Sequence, residues 1–116
     1  MNNKTKIGKE KEDIAVEYLK NKGYQIIARN FKSRFGEIDI IAKDKNTIII
    51  VEVRSKSYDS FGYPQETITK SKIEKIIKTT YQFLSKNDIY FEELRFDVIA
   101  ILKDNILHIE NAFEIR

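Results

Sequence analysis

Apolar positions recur along this chain with two different periods, and each switch of period marks a boundary between elements. Ile14, Ala15, Tyr18 and Leu19 share one helical stripe and Gly23 follows as a left-handed cap, so the pattern predicts a helix over 8–21. Tyr24–Phe31, Glu37–Ala42 and Thr47–Arg54 are rich in β-branched and aromatic residues and predict three strands, the last two joined by the polar turn Lys43-Asp44-Lys45-Asn46. The stretch from Tyr58 to Pro64 reads as a loop. A second helix is expected over 69–86, with Ile73, Ile76, Ile77, Tyr81 and Leu84 facing inwards and Ser71 with Glu74 forming a capping box. Leu94–Leu102 and Ile106–Phe113 predict two closing strands. The order αβββαββ implies an α/β fold: a flexible polar start over 1–7, then a single domain over 8–116.

Alternation along the strands gathers charge on one side. In the third strand Ile48, Ile50, Glu52, Arg54 and Lys56 share a face, so a side that begins apolar becomes charged, as if leaving the core for a cleft. In the second strand Glu37 and Asp39 share a side with Ile41. Folding the two strands back on each other allows two registers. With Ala42 facing Thr47, Glu37 meets Glu52; two steps away, Asp39 meets Glu52. Either way carboxylates converge on one face, and directly opposed like charges destabilise a sheet unless a counter-charge joins them. A divalent cation and Arg54 are the candidate counter-charges. The same alternation also fits a solvated sheet face.

Composition narrows the chemistry. The chain has 116 residues, a net charge of +3, no cysteine and one histidine. Thiolate and histidine-rich metal sites are excluded within one chain, so a metal would be a hard ion such as Mg²⁺ or Mn²⁺. The basic balance leans towards a polyanionic partner, diluted by 18 acidic residues. No apolar stretch is long enough to cross a membrane, and Met1–Lys6 lacks the apolar segment of a signal peptide, so a soluble, cytoplasmic protein is expected.

Ile38-Asp39 followed by Glu52-Val53-Arg54 resembles the PD-(D/E)xK nuclease pattern. At finer grain, Gly8, Glu12, Ala15 and Leu19, Gly23-Tyr24, Arg29-Asn30, Gly36 to Ala42, Val51 to Arg54 and Arg95 to Val98 together resemble the YraN family, over nearly the whole chain. That resemblance implies a restriction-endonuclease-like fold, similar to Holliday junction resolvases, with a central mixed sheet flanked by helices. It implies Asp39 and Glu52 as metal ligands and Glu12 as a third acid, although spacing alone equally makes Glu12 a first-turn acid favoured by the helix dipole. Arg54 stands where the pattern has lysine. It keeps its proton and so can grip a phosphate but not serve as a base; Lys56 is a substitute on the same side.

Arg34, Lys70, Lys72, Lys75 and Lys78 are candidates for a phosphate-facing surface, with Lys75 and Lys78 better read as a solubilising helix face. Tyr58, Phe61 and Tyr63 are candidates for base stacking. Asp97 is expected to be structural or to contact substrate, and His108 to be an ordinary sheet residue. The expected function is a Mg²⁺- or Mn²⁺-dependent nuclease on DNA, branched DNA by the resolvase likeness, which also suggests a homodimer. The alternative is a non-catalytic nucleic-acid-binding module on the same fold.

Overall fold

The computed structural model describes residues 3–55, 68–103 and 105–114. Its elements are α1 (Asn3–Asn21), β1 (Gln25–Ser33), β2 (Gly36–Asp44), β3 (Thr47–Ser55), α2 (Lys70–Lys86), β4 (Glu93–Leu102) and β5 (Asn105–Ile109). The five strands form one sheet in the order β1-β2-β3-β4-β5, antiparallel throughout except for the parallel pair β3–β4. The α/β class and the order αβββαββ are those expected. No helix of the described residues is long and apolar enough to cross a membrane.

One helix covers each face of the sheet. Ala15, Val16 and Leu19 of α1 pack on Ile40, Ala42, Ile49, Val51, Ile99 and Ile101. Ile76 and Phe83 of α2 pack on Ile38, Ile41, Ile48, Ile50 and Phe96. Burial on both faces explains why β3 reads as a nearly continuous apolar run before Glu52. Gly23, at φ +92°, closes α1 as expected, with Tyr24 N–H bonding to the carbonyl of Leu19 at 3.0 Å.

Several sequence expectations are corrected. α1 begins at Asn3 rather than Gly8, and its inward stripe is turned: Val16 is buried and Ile14 is 41% exposed. α2 is capped by Thr69, whose hydroxyl accepts from Lys72 N–H at 3.1 Å, not by Ser71 and Glu74. Its buried face is Ile76, Thr79, Thr80 and Phe83, while Tyr81 is 54% exposed. The two threonines escape the hydrophobic pattern because their hydroxyls are both hydrogen-bonded. Thr80 donates to the Ile76 carbonyl at 2.8 Å, and Thr79 shares a hydrogen bond with Ser33 at 3.0 Å. β5 ends at Ile109, not Phe113. Asn111 takes a left-handed conformation and its N–H turns inward to Asp97, while Phe113 stacks on Phe96.

The β2–β3 hairpin adopts the second of the two registers. Asp44 faces Thr47 and Ile40 faces Val51, which carries Asp39 towards Glu52. The loop is then only Lys45 and Asn46, with Lys45 at φ +55°.

Candidate active site

The ladder between β2 and β3 stops at Ile40–Val51, and just beyond it Asp39 sits at a fork in the sheet. Asp39 Oδ2 accepts the Val53 backbone N–H at 2.8 Å, the position a β2 carbonyl would take in a continued ladder. The alternation of β2 breaks here too: Ile40 faces α1, yet Ile38 packs with the α2-side cluster. Asp39 therefore borders a cleft on each side of the sheet. The α1-side cleft, about 750 Å³, is lined by Glu12, Arg29, Asn30, Glu37, Asp39 and Val53, with Lys9, Lys11 and Lys32 around them. The α2-side cleft, about 340 Å³, is lined by Glu37, Asp39, Glu52, Ser71, Lys72 and Lys75.

Glu52 is buried in the α2-side cleft. Its Oε2 lies 3.4 Å from Lys72 Nζ, and its Oε1 is buried with no hydrogen-bond partner among the described residues. Burial, then the Asp39 charge, push its pKa up to about 8, against opposing pulls from Lys72 and Arg54. Asp39 is also raised, chiefly by burial and in spite of the Val53 hydrogen bond. An unpartnered buried carboxylate oxygen carries a large desolvation penalty, so the site is built at a cost to the fold.

Glu12 lies on the other side of the fork. Its Oε1 accepts from Arg29 Nε at 3.2 Å and from Asn30 Nδ2 at 2.9 Å, while Arg29 also bridges to Asp13. Burial raises Glu12, with the Arg29 hydrogen bond opposing. Asn30 holds φ at +52° within β1, and asparagine is among the side chains that tolerate that region. From the register Arg29–Ile40 and Phe31–Ile38, Asn30 falls opposite Asp39.

The structure thus brings Asp39 and Glu52 together in one cleft and Asp39 and Glu12 in the other. Among the described residues no three acidic or histidine side chains form a ready-made metal cage. Arg54, half-buried on β3, acts on Glu52 through its charge. Of the surface candidates, Lys72 and Lys75 both line the α2-side cleft, so Lys75 is not merely part of a solubilising helix face. Lys70 is exposed at the start of α2, and Arg34 is exposed in the β1–β2 turn with its guanidinium 4.9 Å from the Phe35 ring centre. Lys56, Tyr58, Phe61 and Tyr63 lie outside the described residues.

Sequence reasoning missed the cleft role of Lys72, the Arg29–Asn30 clamp and the lysines Lys9, Lys11 and Lys32. Lys72 is twenty residues from Glu52 in sequence, and its reach across depends on how α2 docks. His108 is not an ordinary sheet residue. It hydrogen-bonds buried Asp97 at 2.7 Å through Nε2, and its Nδ1 meets Tyr18 Oη at 3.1 Å and Lys22 Nζ at 3.3 Å. Arg95 grips Asp97 at 2.9 and 3.0 Å and donates to Tyr24 Oη at 2.9 Å, and Asn111 N–H adds a further bond at 3.0 Å. Burial would raise Asp97, but the His108 and Arg95 hydrogen bonds outweigh it and hold the carboxyl below its ordinary value. Asp97 is aligned with Val51, on the α1 side of the sheet, and Glu52 faces the other way.

Glu52 binds its proton more tightly in the folded chain than in the unfolded one. Its contribution to stability is complete below the unfolded value of 4.5 and is lost as pH rises towards about 8. The metal-free protein is therefore expected to lose about 3 kcal/mol through this group between about pH 5 and pH 8. Glu52→Gln is expected to remove that loss and to be the more stable protein at the alkaline end. Denaturant titrations of both proteins at the two pH values measure the difference; equal slopes with pH would remove the strained carboxylate from the account.

The sequence model of a family described as "Uncharacterised protein family UPF0102" matches residues 11–101. A UPF0102 protein of Persephonella marina is 59% identical over 108 residues, covering 93% of this chain and 93% of its own. One from a Sulfurihydrogenibium species is 46% identical over 113 residues, covering 97% of this chain and 98% of its own. One from Clostridioides difficile is 46% identical over 115 residues, covering 97% of this chain and 100% of its own.

Proposed function

We propose, from the premise that the chain belongs to the uncharacterised protein family UPF0102, the YraN family, that it is a metal-dependent nuclease hydrolysing DNA phosphodiesters. The observation that carries this reading is the Oε1 of Glu52, buried beside Asp39 with no hydrogen-bond partner among the described residues. Two carboxylates lining one cleft fit Mg²⁺ or Mn²⁺, which take one or two protein carboxylates and complete their shell with water and phosphate oxygens. The single histidine is engaged with Asp97, and there is no cysteine, so a softer metal is not served.

A divalent cation held by Asp39 and Glu52 would neutralise them, activate an attacking water and steady the leaving oxygen. The chain's own groups supply the rest. Asp39, fixed by Val53 N–H, sets the ligand position between the two clefts. Lys72 and Arg54 carry the positive charge that meets the phosphate, and Arg54 does so without exchanging a proton. α2 has no acid in its first turn, which leaves its N-terminal N–H groups favourable to an anion. Glu12 acts from the α1 side, on Asp39 rather than on Glu52. The likeness to PD-(D/E)xK nucleases supports the same reading, and the resolvase likeness within it supports branched DNA as substrate and a homodimer as the acting form.

Cleavage of single-stranded, duplex, flap and four-way-junction DNA, and of RNA, tested with Mg²⁺, Mn²⁺ and EDTA, tests this. Cutting is expected on DNA with either metal and not with the chelator. A second reading, a binding module that does not cut, is favoured by one feature: Lys72 already lies against Glu52, and among the described residues no three acids are grouped so as to hold a metal. Binding without cleavage under every metal would establish it.

In both readings the nucleic acid reaches past the shared acids Glu37 and Asp39 from the α2-side cleft into the α1-side cleft, because Lys9, Lys11 and Lys32 line the latter and make no ion pair with the described residues. Replacing each by alanine is expected to weaken DNA binding for all sequences alike and to lower the salt slope by about one per lysine. Fluorescence anisotropy over a salt series reads both quantities; an unchanged slope would move the track elsewhere.

A further inference from the structure

The two oxygens of Glu52 are treated unequally. Oε1 is buried without a hydrogen-bond partner among the described residues, while Oε2 has the Lys72 ammonium at 3.4 Å. The two side chains also differ in freedom. Glu52 is 3% exposed and cannot leave the cleft, whereas Lys72 is 43% exposed. The backbone of Lys72 is pinned, since its N–H bonds the Thr69 cap at 3.1 Å. Its ammonium is therefore a cation on a long, partly exposed tether whose backbone end is anchored at the start of α2. A divalent cation drawing on the free Oε1 would come to lie beside that ammonium, and at such range in a half-buried site like charges repel strongly.

We infer that Lys72 is a built-in counter-ion that competes with the divalent cation for Glu52. Without metal its ammonium lies against Oε2 and offsets part of the cost of charging this buried group. When metal binds, the ammonium is released to the cleft mouth, where the phosphate of the substrate is its next partner. The inference rests on the two-carboxylate metal reading above and adds an exchange of cations to it. By linkage, whatever draws Lys72 outward tightens the metal, so metal and phosphate assist each other's binding.

The test is calorimetric titration of Mn²⁺ into the full chain, without nucleic acid, for the parent, Lys72→Met and Lys72→Arg. Lys72→Met is expected to bind Mn²⁺ about tenfold more tightly than the parent, and Lys72→Arg, which keeps the charge, to stay near the parent. A lysine that merely held the start of α2 in place would leave Mn²⁺ affinity unchanged. If the parent binds Mn²⁺ and Lys72→Met binds it no more tightly, the exchange is overturned and the metal reading stands. If neither binds, both are overturned.

A second measurement on the parent covers the case in which Lys72→Met does not fold. The rate at which an amine-acylating reagent modifies Lys72, read by mass spectrometry against the exposed Lys70, is expected to rise when Mn²⁺ is added. A rate indifferent to Mn²⁺ overturns the exchange.

Discussion

Replacing Asp39 by asparagine is expected to lower metal-dependent DNA cleavage by about a thousandfold, with DNA affinity unchanged or slightly raised. The size follows from position. Asp39 borders both clefts, as Glu37 does, but it is the Asp39 charge that is felt by Glu52 on one side and by Glu12 on the other. The substitution is close to isosteric, and the amide oxygen can still accept the Val53 N–H that Asp39 now accepts at 2.8 Å. The fork should therefore stay closed and the loss should be chemical. Removing one of two mutually repelling carboxylates also relieves Glu52, so thermal stability should hold or rise. Cleavage assays, anisotropy and a melting curve on the same preparation separate the outcomes. An asparagine variant that cuts as well as the parent would remove Asp39 from the metal site.

Asp97→Ala is the second large effect, and it lies in stability. Asp97 is wholly buried and is held by Arg95, His108 and the Asn111 N–H. Truncation leaves the Arg95 and His108 hydrogen bonds unmet and frees the segment after β5. Breaking a buried ion pair by removing one partner costs about 3 kcal/mol or more, which for a domain of this size lowers the melting temperature by about 10 °C.

The pH dependence has the opposite sign to that of Glu52. Asp97 is held below its ordinary value, so its stabilisation is present above the unfolded value of 3.8 and lost as pH falls through the lowered folded value. The variant should show a flattened acid limb. At a temperature where it is folded, cleavage per folded molecule should match the parent, since Asp97 sits on the α1 face and Glu52 faces α2. Lost cleavage with intact stability would instead place Asp97 in the active site.

Much of the architecture is legible in the pattern of apolar residues. The order of elements, the hairpin carrying Asp39 and Glu52 and the division of β3 into an apolar start and a charged end all follow from period and composition. So does the cap at Gly23. What misled were cases where polar atoms are satisfied locally or by distant partners. Thr79 and Thr80 face the sheet because their hydroxyls are bonded, and Tyr81, which scores as core, is pushed out to water. His108 looks incidental in β5 because its partners, Tyr18 and Asp97, are 90 and 11 residues away.

The site divides along the same line. That carboxylates would converge across β2 and β3 was determined by the sequence alone, because alternation places them on one face in any even register. Which carboxylates converge was decided by the shortness of the Lys45-Asn46 loop, a matter of turn geometry worth two residues of register. The counter-charge at Glu52, the clamp on Glu12 and the Asp97 network were decided by tertiary structure, since each needs a helix docked at a particular rotation on the sheet. A sequence determines periods and therefore faces. Charge pairing across faces depends on distances of a few ångströms, and these exist only once the core has set how closely helix and sheet approach.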